Sequence, residues 1–142
     1  MSVLTDINIL KEWAYNYIKN KDAFLKNIIS IDNAPTGLLV KYKNKDQIII
    51  TSEKLDIKLL KKKKESDNLF IFTYNTKNNL ESLISMWDSI IKYKSLSICF
   101  VNQESKLEKR WIIHPYTHNK ISERSALKQG LMSLFQTVET KH

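Results

Sequence analysis

NLFIFTYNTKNNLESLISMWDSIIKYKSLSICFV, residues 68–101, decides the fold. Its two ends, Leu69–Tyr74 and Leu96–Val101, carry apolar side chains at both odd and even positions. A strand that is apolar on both faces is buried between two layers. Between the ends, Leu80, Leu83, Ile84, Trp87, Ile90 and Ile91 recur three and four residues apart. That spacing draws one apolar stripe along a helix. Strand, helix and strand in this length predict a βαβ unit with parallel strands and a right-handed crossover. The one cysteine, Cys99, sits in the second run and reads as a small buried hydrophobe.

Outward toward the N-terminus, Thr5 and Asp6 read as a helix start, a capping hydroxyl followed by a carboxylate. Ile7, Leu10, Ala14, Tyr17 and Ile18 give the stripe of that helix, ending near Asn20. Residues 24–32 fit either a continued helix through Phe24, Leu25, Ile28 and Ile29 or a strand starting at Ile29 and Ile31. Residues 33–37, NAPTG, are a turn. Residues 38–43 alternate, with Leu38, Val40 and Tyr42 on one face and Lys41 and Lys43 on the other; 47–51 return as the second strand of a hairpin. Leu55, Ile57 and Leu59 suit a strand or a helical turn, and residues 61–67 are a polar loop.

Toward the C-terminus, a polar stretch leads to a short strand, Arg110–Ile113. Residues 114–119, HPYTHN, read as a loop, because Pro115 biases His114 to extended backbone. Ser122 reads as the cap of a last helix with Glu123 in its first turn and a stripe from Ala126 to Val138. Gly130 lies beside that stripe and is expected to permit close packing. The order is α-β-β-β-α-β-β-α. The expected fold is α/β or α+β, a single mixed sheet of five to six strands flanked by about three helices, in one domain spanning residues 1–142.

No apolar run approaches the ~20 residues of a membrane span, and Asp6 and Glu12 break up the N-terminus. A cytoplasmic protein without membrane insertion is expected. The net charge is +8, carried by 21 Lys and 2 Arg. With 18 Ile and 12 Asn, all types with AT-rich codons, composition alone accounts for many lysines, so their placement is the better guide. Residues 1–40 hold 4 Lys and 4 acids; residues 41–64 hold 9 Lys and 3 acids.

Two candidate surfaces stand out. Lys41, Lys43 and Lys45 form a row at two-residue spacing, and Lys61, Lys62, Lys63 and Lys64 add a second cluster. Such rows neutralise phosphates without regard to sequence, although lysines also guard solvated edge strands. The second surface is RWIIHPYTHNK, with Arg110, Trp111, His114, Tyr116, His118 and Lys120. It is the densest group of binding-capable side chains in the chain, and the scarce Arg110 offers a planar fork that lysine lacks. No cofactor or metal is expected: only Gly37 and Gly130 are present, too few for a phosphate-cradling loop, and His114 and His118 lack Cys, Asp or Glu neighbours in the segment. No nucleophile elbow occurs.

A helix, a three-stranded meander ending at residues 69–74, a helix and a parallel strand resemble the restriction-endonuclease-like fold in element order. That resemblance implies a nucleic-acid-associated protein on a degenerate core, because Leu69–Tyr74 contains no acid or lysine and Asp46, Glu53 and Asp67 lack an ion-holding pattern. With a hairpin and last helix added, the order also resembles small dimeric secretion-chaperone-like folds, which tend to be acidic. The sequence therefore supports a non-enzymatic binding or adaptor module with a protein partner or self-association, or alternatively a nucleic-acid-associated protein using the lysine-rich hairpin.

Overall fold

The computed structural model describes residues 6–142; the expected cap Thr5 lies outside the described residues. At its centre are β4 (Leu69–Tyr74) and β5 (Leu96–Val101), parallel neighbours with Leu69 beside Leu96 and Tyr74 beside Val101. Every residue of β4 is buried, as a run with no polar face requires. Alternation sends Phe70, Phe72 and Tyr74 to one face, and Leu69 and Ile71 to the other. The crossover is helical but breaks at Met86 into α2 (Lys77–Ser85) and α3 (Trp87–Ile90). Thr76 caps α2, its hydroxyl accepting from the Asn79 amide at 3.1 Å. Leu80, Leu83, Trp87 and Ile90 are buried, and Trp87 is only 1% exposed.

The sheet is mixed and six-stranded, and its spatial order follows the chain. β1 (Ile28–Ala34), β2 (Gly37–Tyr42) and β3 (Asp46–Thr51) are antiparallel, which resolves residues 24–32 in favour of a strand from Ile28. The hairpin closes tightly at Gly37, where a Cβ would meet the Ile49 carbonyl oxygen at 2.1 Å. β3 pairs parallel with β4, so residues 69–74 are not the third strand of a meander. The link through the 3₁₀ turn Ile57–Leu60 is a crossover rather than a hairpin. Ile48, Ile49 and Ile50 give β3 apolar groups on both faces, which suits an interior parallel strand. β6 (Arg110–Ile113) closes the far edge, antiparallel to β5.

Helices cover both faces. α1 (Asp6–Asp22) lays Leu10, Ala14 and Ile18 over Val40, Ile49, Phe72 and Cys99. α2, α3 and α5 (Leu127–Phe135) pack with the 3₁₀ turn over Ile50, Ile71, Ile98 and Phe100. Each fully buried Leu, Ile or Phe contributes about 1.5–3 kcal/mol, so these two layers are the main stabilising term.

Three C-terminal expectations are corrected. His114 is extended as expected, but residues 115–119 are helical, within α4 (Pro115–Ile121). Proline at the first helical position loses nothing, since the N–H there has no intrahelical acceptor and the fixed φ suits the helix. Ser122 ends α4 instead of capping the next helix: its amide donates to the His118 carbonyl. A 3₁₀ turn, Arg124–Ala126, then leads into α5. Gly130 permits no close packing, because a Cβ there would meet nothing within 4 Å.

Candidate nucleic-acid interface

In open α/β sheets ligands bind beyond the carboxyl ends of the parallel strands. Here that end is filled by asparagines. Asn79 accepts from the Leu55 amide and donates to the carbonyls of Glu53 and Tyr74 and to the Thr73 hydroxyl, all within 3.0 Å. Asn75 donates toward the carbonyls of Phe135, Val138 and Glu139, and its Oδ1 accepts from Trp111 Nε1 at 2.8 Å. Asn102 donates to Glu139 O and accepts from the Glu104 amide. These buried carboxamides are saturated, so they clasp loops and the C-terminal segment and offer no free group to a ligand.

The groove between α1 and β6 is different. Trp13, Tyr17 and Lys21 recur every four residues on α1, with Asn16 and Asn20 beside them. Trp13 and Tyr17 stack with centroids 5.5 Å apart and rings 8° from parallel. The Arg110 guanidinium lies 5.0 Å from the Tyr17 centroid, and Lys21 Nζ lies 6.0 Å from it. Trp13, Asn16, Tyr17, Asn20, Lys21 and Arg110 line a cavity of about 580 Å³. Among the described residues the ion pairs are Lys92 with Glu65 and Arg124 with Asp88, so neither Arg110 nor Lys21 has a carboxylate partner there. Two cations around one aromatic platform, with carboxamides at the rim, suit an anionic ligand that also carries a flat ring.

Strand parity places Ser97, His114 and Arg110 on this same face. Ser97 Oγ lies 2.7 Å from His114 Nδ1. Burial, and next the Lys21 charge, lower the His114 pKa and so favour the neutral imidazole, whose tautomer sets which of the pair donates the hydrogen bond.

The six residues of the 110–120 candidate surface therefore part company. Arg110 and His114 face α1. Trp111 is buried on the opposite side, stacked on Phe100 at 4.3 Å and bonded to Asn75. His118 meets the edge of Trp87, 5.8 Å between centroids, and burial lowers its pKa. The two histidines thus point to different sides, and among the described residues no group of three or more His, Cys, Asp or Glu could hold a metal ion. Tyr116 and Lys120 form an outward pair, Nζ 4.2 Å from the ring centroid. The Lys120 ammonium holds the phenol below its ordinary pKa, and Lys94 adds to the effect.

Register also locates the lysine clusters. β3, β4 and β5 all begin at one end of the sheet, and β6 runs down to that end, where His114 meets Ser97. The β2–β3 turn with Lys43 and Lys45 is there, tied to the following loop through Asn68 Nδ2 and the Asp46 carbonyl. Lys61, Lys62, Lys63 and Lys64 lie in the loop that feeds β4, and Lys92 and Lys94 in the turn that feeds β5. Lys41 is exposed on β2 beside the turn, on the sheet face away from Val40 and Tyr42. Tyr42 carries Lys45 as Tyr116 carries Lys120, with Nζ 5.7 Å from the ring centroid. That end of the sheet thus carries many lysines, interspersed with the carboxylates of Asp46, Glu65 and Asp67.

Tyr17, Lys21 and Ser97 were missed by sequence reasoning. The four-residue row of Trp13, Tyr17 and Lys21 was the available signal, hidden because Tyr17 also fits the core stripe. A larger concavity, about 1110 Å³, lies between α2 and α5 over Leu80, Ile84, Met132 and Phe135, away from these cations. No helix is long and apolar enough to cross a membrane among the described residues. Comparison of the chain with family models, with curated proteins and with solved structures found no match.

Proposed function

We propose that the protein is a non-enzymatic binding module whose partner is single-stranded nucleic acid. The strand runs along the α1–β6 groove and continues over the basic end of the sheet. The observation that carries this reading is the pair of cations, Arg110 and Lys21, held around the Tyr17 ring without a carboxylate partner among the described residues. Proteins that bind single strands combine a positive groove for the backbone with aromatic faces for the bases. Duplex is disfavoured because its bases are stacked on one another and cannot use Tyr17 or Tyr116. Lys43, Lys45 and the 61–64 cluster add a sequence-independent electrostatic contribution. A cytoplasmic setting belongs to the same proposal.

Trp13 is half-buried while Trp87 and Trp111 are buried, so a ligand in the groove reports itself through Trp13 fluorescence. Titration with oligo(dT) and oligo(U) in low salt is expected to quench that signal, and a duplex of equal length to quench it less. Arg110→Gln with Lys21→Gln is expected to weaken binding and to reduce the salt slope by about 0.7 for each phosphate no longer neutralised. No quenching and no binding at tens of micromolar in low salt would overturn the proposal.

A protein partner is the second reading. It is favoured by Phe24, Leu25 and Ile29, which stand in water on the other side of the sheet.

A further inference from the structure

A second cavity meets the α1–β6 groove at Lys21, which lines both. It measures about 330 Å³, at the small end of ligand cavities, and lies between the C-terminal turn of α1 and the β2–β3 hairpin. Asn27, Tyr42, Lys45 and Gln47 wall it, and it reaches the buried Phe70. Phe70 also meets Tyr17 edge-on, 6.1 Å between centroids, so one aromatic cluster underlies both cavities. The chemistry of the groove recurs here: Lys45 Nζ lies 5.7 Å from the Tyr42 centroid, with carboxamides beside it.

The polar wall is ordered by a chain of hydrogen bonds. Asn68 Nδ2 donates to the Asp46 carbonyl, which can only accept. Gln47 Nε2 therefore donates to Asn68 Oδ1, and the Tyr42 hydroxyl donates to Gln47 Oε1. Lone pairs of Tyr42 Oη and the second Gln47 Nε2 proton remain for a ligand edge that carries both a donor and an acceptor. Burial, and next the Asp22 charge, raise the Tyr42 pKa, so the phenol stays neutral. Asp22 lines the cavity, its two oxygens accepting the Asn27 and Ile28 amides at 2.9 Å. The last carbonyls of α1 add the negative end of the helix dipole. Such a site disfavours a phosphate and admits a neutral, flat, polar ring, which leaves the phosphate to Lys21 and Arg110. The geometry points to a two-nucleotide footprint: one nucleotide in the α1–β6 groove, the linking phosphate at Lys21, and the neighbouring base in the cavity between α1 and the hairpin. This rests on the single-strand reading of the groove and adds a second base site built from Tyr42, Gln47 and Phe70.

The test is amide chemical-shift mapping of the full chain in low salt. The probes are dTpdT and dApdA, each against its nucleoside 3′-methyl phosphate, which has the same single charge and no second base. The one-base probes are expected to shift amides of the groove, at Tyr17, Lys21 and Arg110. A dinucleotide is expected to shift Asn27, Tyr42 and Gln47 as well, and to bind at least about fivefold more tightly, the lower end of what one stacked base adds. Tyr42→Ala is expected to bring that affinity ratio close to one, and its own spectrum reports whether it is folded. Groove shifts with both dinucleotides while Asn27, Tyr42 and Gln47 stay unmoved would overturn the footprint and leave the groove reading standing. So would an unchanged ratio in a folded Tyr42→Ala. No groove shift with any probe at millimolar concentration would overturn both.

Discussion

Replacing Asn75 by alanine tests whether the carboxyl end of the sheet is a structural clasp. Asn75 is 1% exposed. Its Oδ1 is the acceptor for Trp111 Nε1, and its Nδ2 lies 3.1–3.3 Å from three carbonyls of the C-terminal segment. Alanine leaves the indole N–H unpaired in a dry site, which costs about 1–3 kcal/mol, and removes the hydrogen bonds to the carbonyls as well. The expected loss is about 3–4 kcal/mol, a large share of a typical 5–15 kcal/mol. Asn75→Asp is expected to be worse at neutral pH, because a carboxylate would face three carbonyl oxygens with a single donor. Trp111→Phe removes the other partner, so a double-mutant cycle should give a coupling of about 1 kcal/mol or more. Urea titration reads the stability, and amide exchange reads whether residues 136–139 detach first. A loss below about 1 kcal/mol for Asn75→Ala, or strict additivity with Trp111→Phe, would refute the clasp.

Trp87→Ala empties the largest buried side chain of the α3 layer and is expected to cost about 3–5 kcal/mol by denaturant titration. Gly130→Ala is expected to stabilise the fold by about 0.5–1 kcal/mol, because the site is helical and its Cβ position is open; calorimetry should show the melting temperature rising by about 2–4 °C. Burial holds His114 and His118 below their ordinary value of 6.5, Lys21 adding to the shift at His114. The unfolded chain therefore binds more protons as pH falls through 6.5, and stability is expected to fall with it until the lowered folded values are passed. His114→Gln should flatten that slope in urea titrations at stepped pH, and stability that rises on acidification across this window would contradict the assignment.

The sequence by itself determined the centre of this protein. Leu69–Tyr74 and Leu96–Val101 have no polar face, so only burial between two layers satisfies them, and the stripe through Leu83 and Trp87 leaves its helix one way to pack. The hairpin before it was legible for the same reason: alternation at Leu38, Val40 and Tyr42 is a local pattern, and the polar residues 44–46 mark its turn. Elements whose identity depends on distant partners were not legible. Ile28–Ala34 is a strand because β2 lies beside it, and β3 joins β4 in parallel because the sheet needs an interior neighbour there. Pro115 extends His114 as read, but the residues after it were misassigned because proline's effect depends on position: it breaks a helix from the middle and starts one from the first turn. Residues 110–120 contain the chemistry anticipated for a site, but a strand followed by a helix sends neighbours to opposite faces. Tertiary structure alone decided that Trp111 serves the core while Arg110 meets Tyr17 and Lys21, from an α1 about ninety residues earlier in the chain. Which side chains converge is a property of the sheet register, and sequence spacing does not encode it.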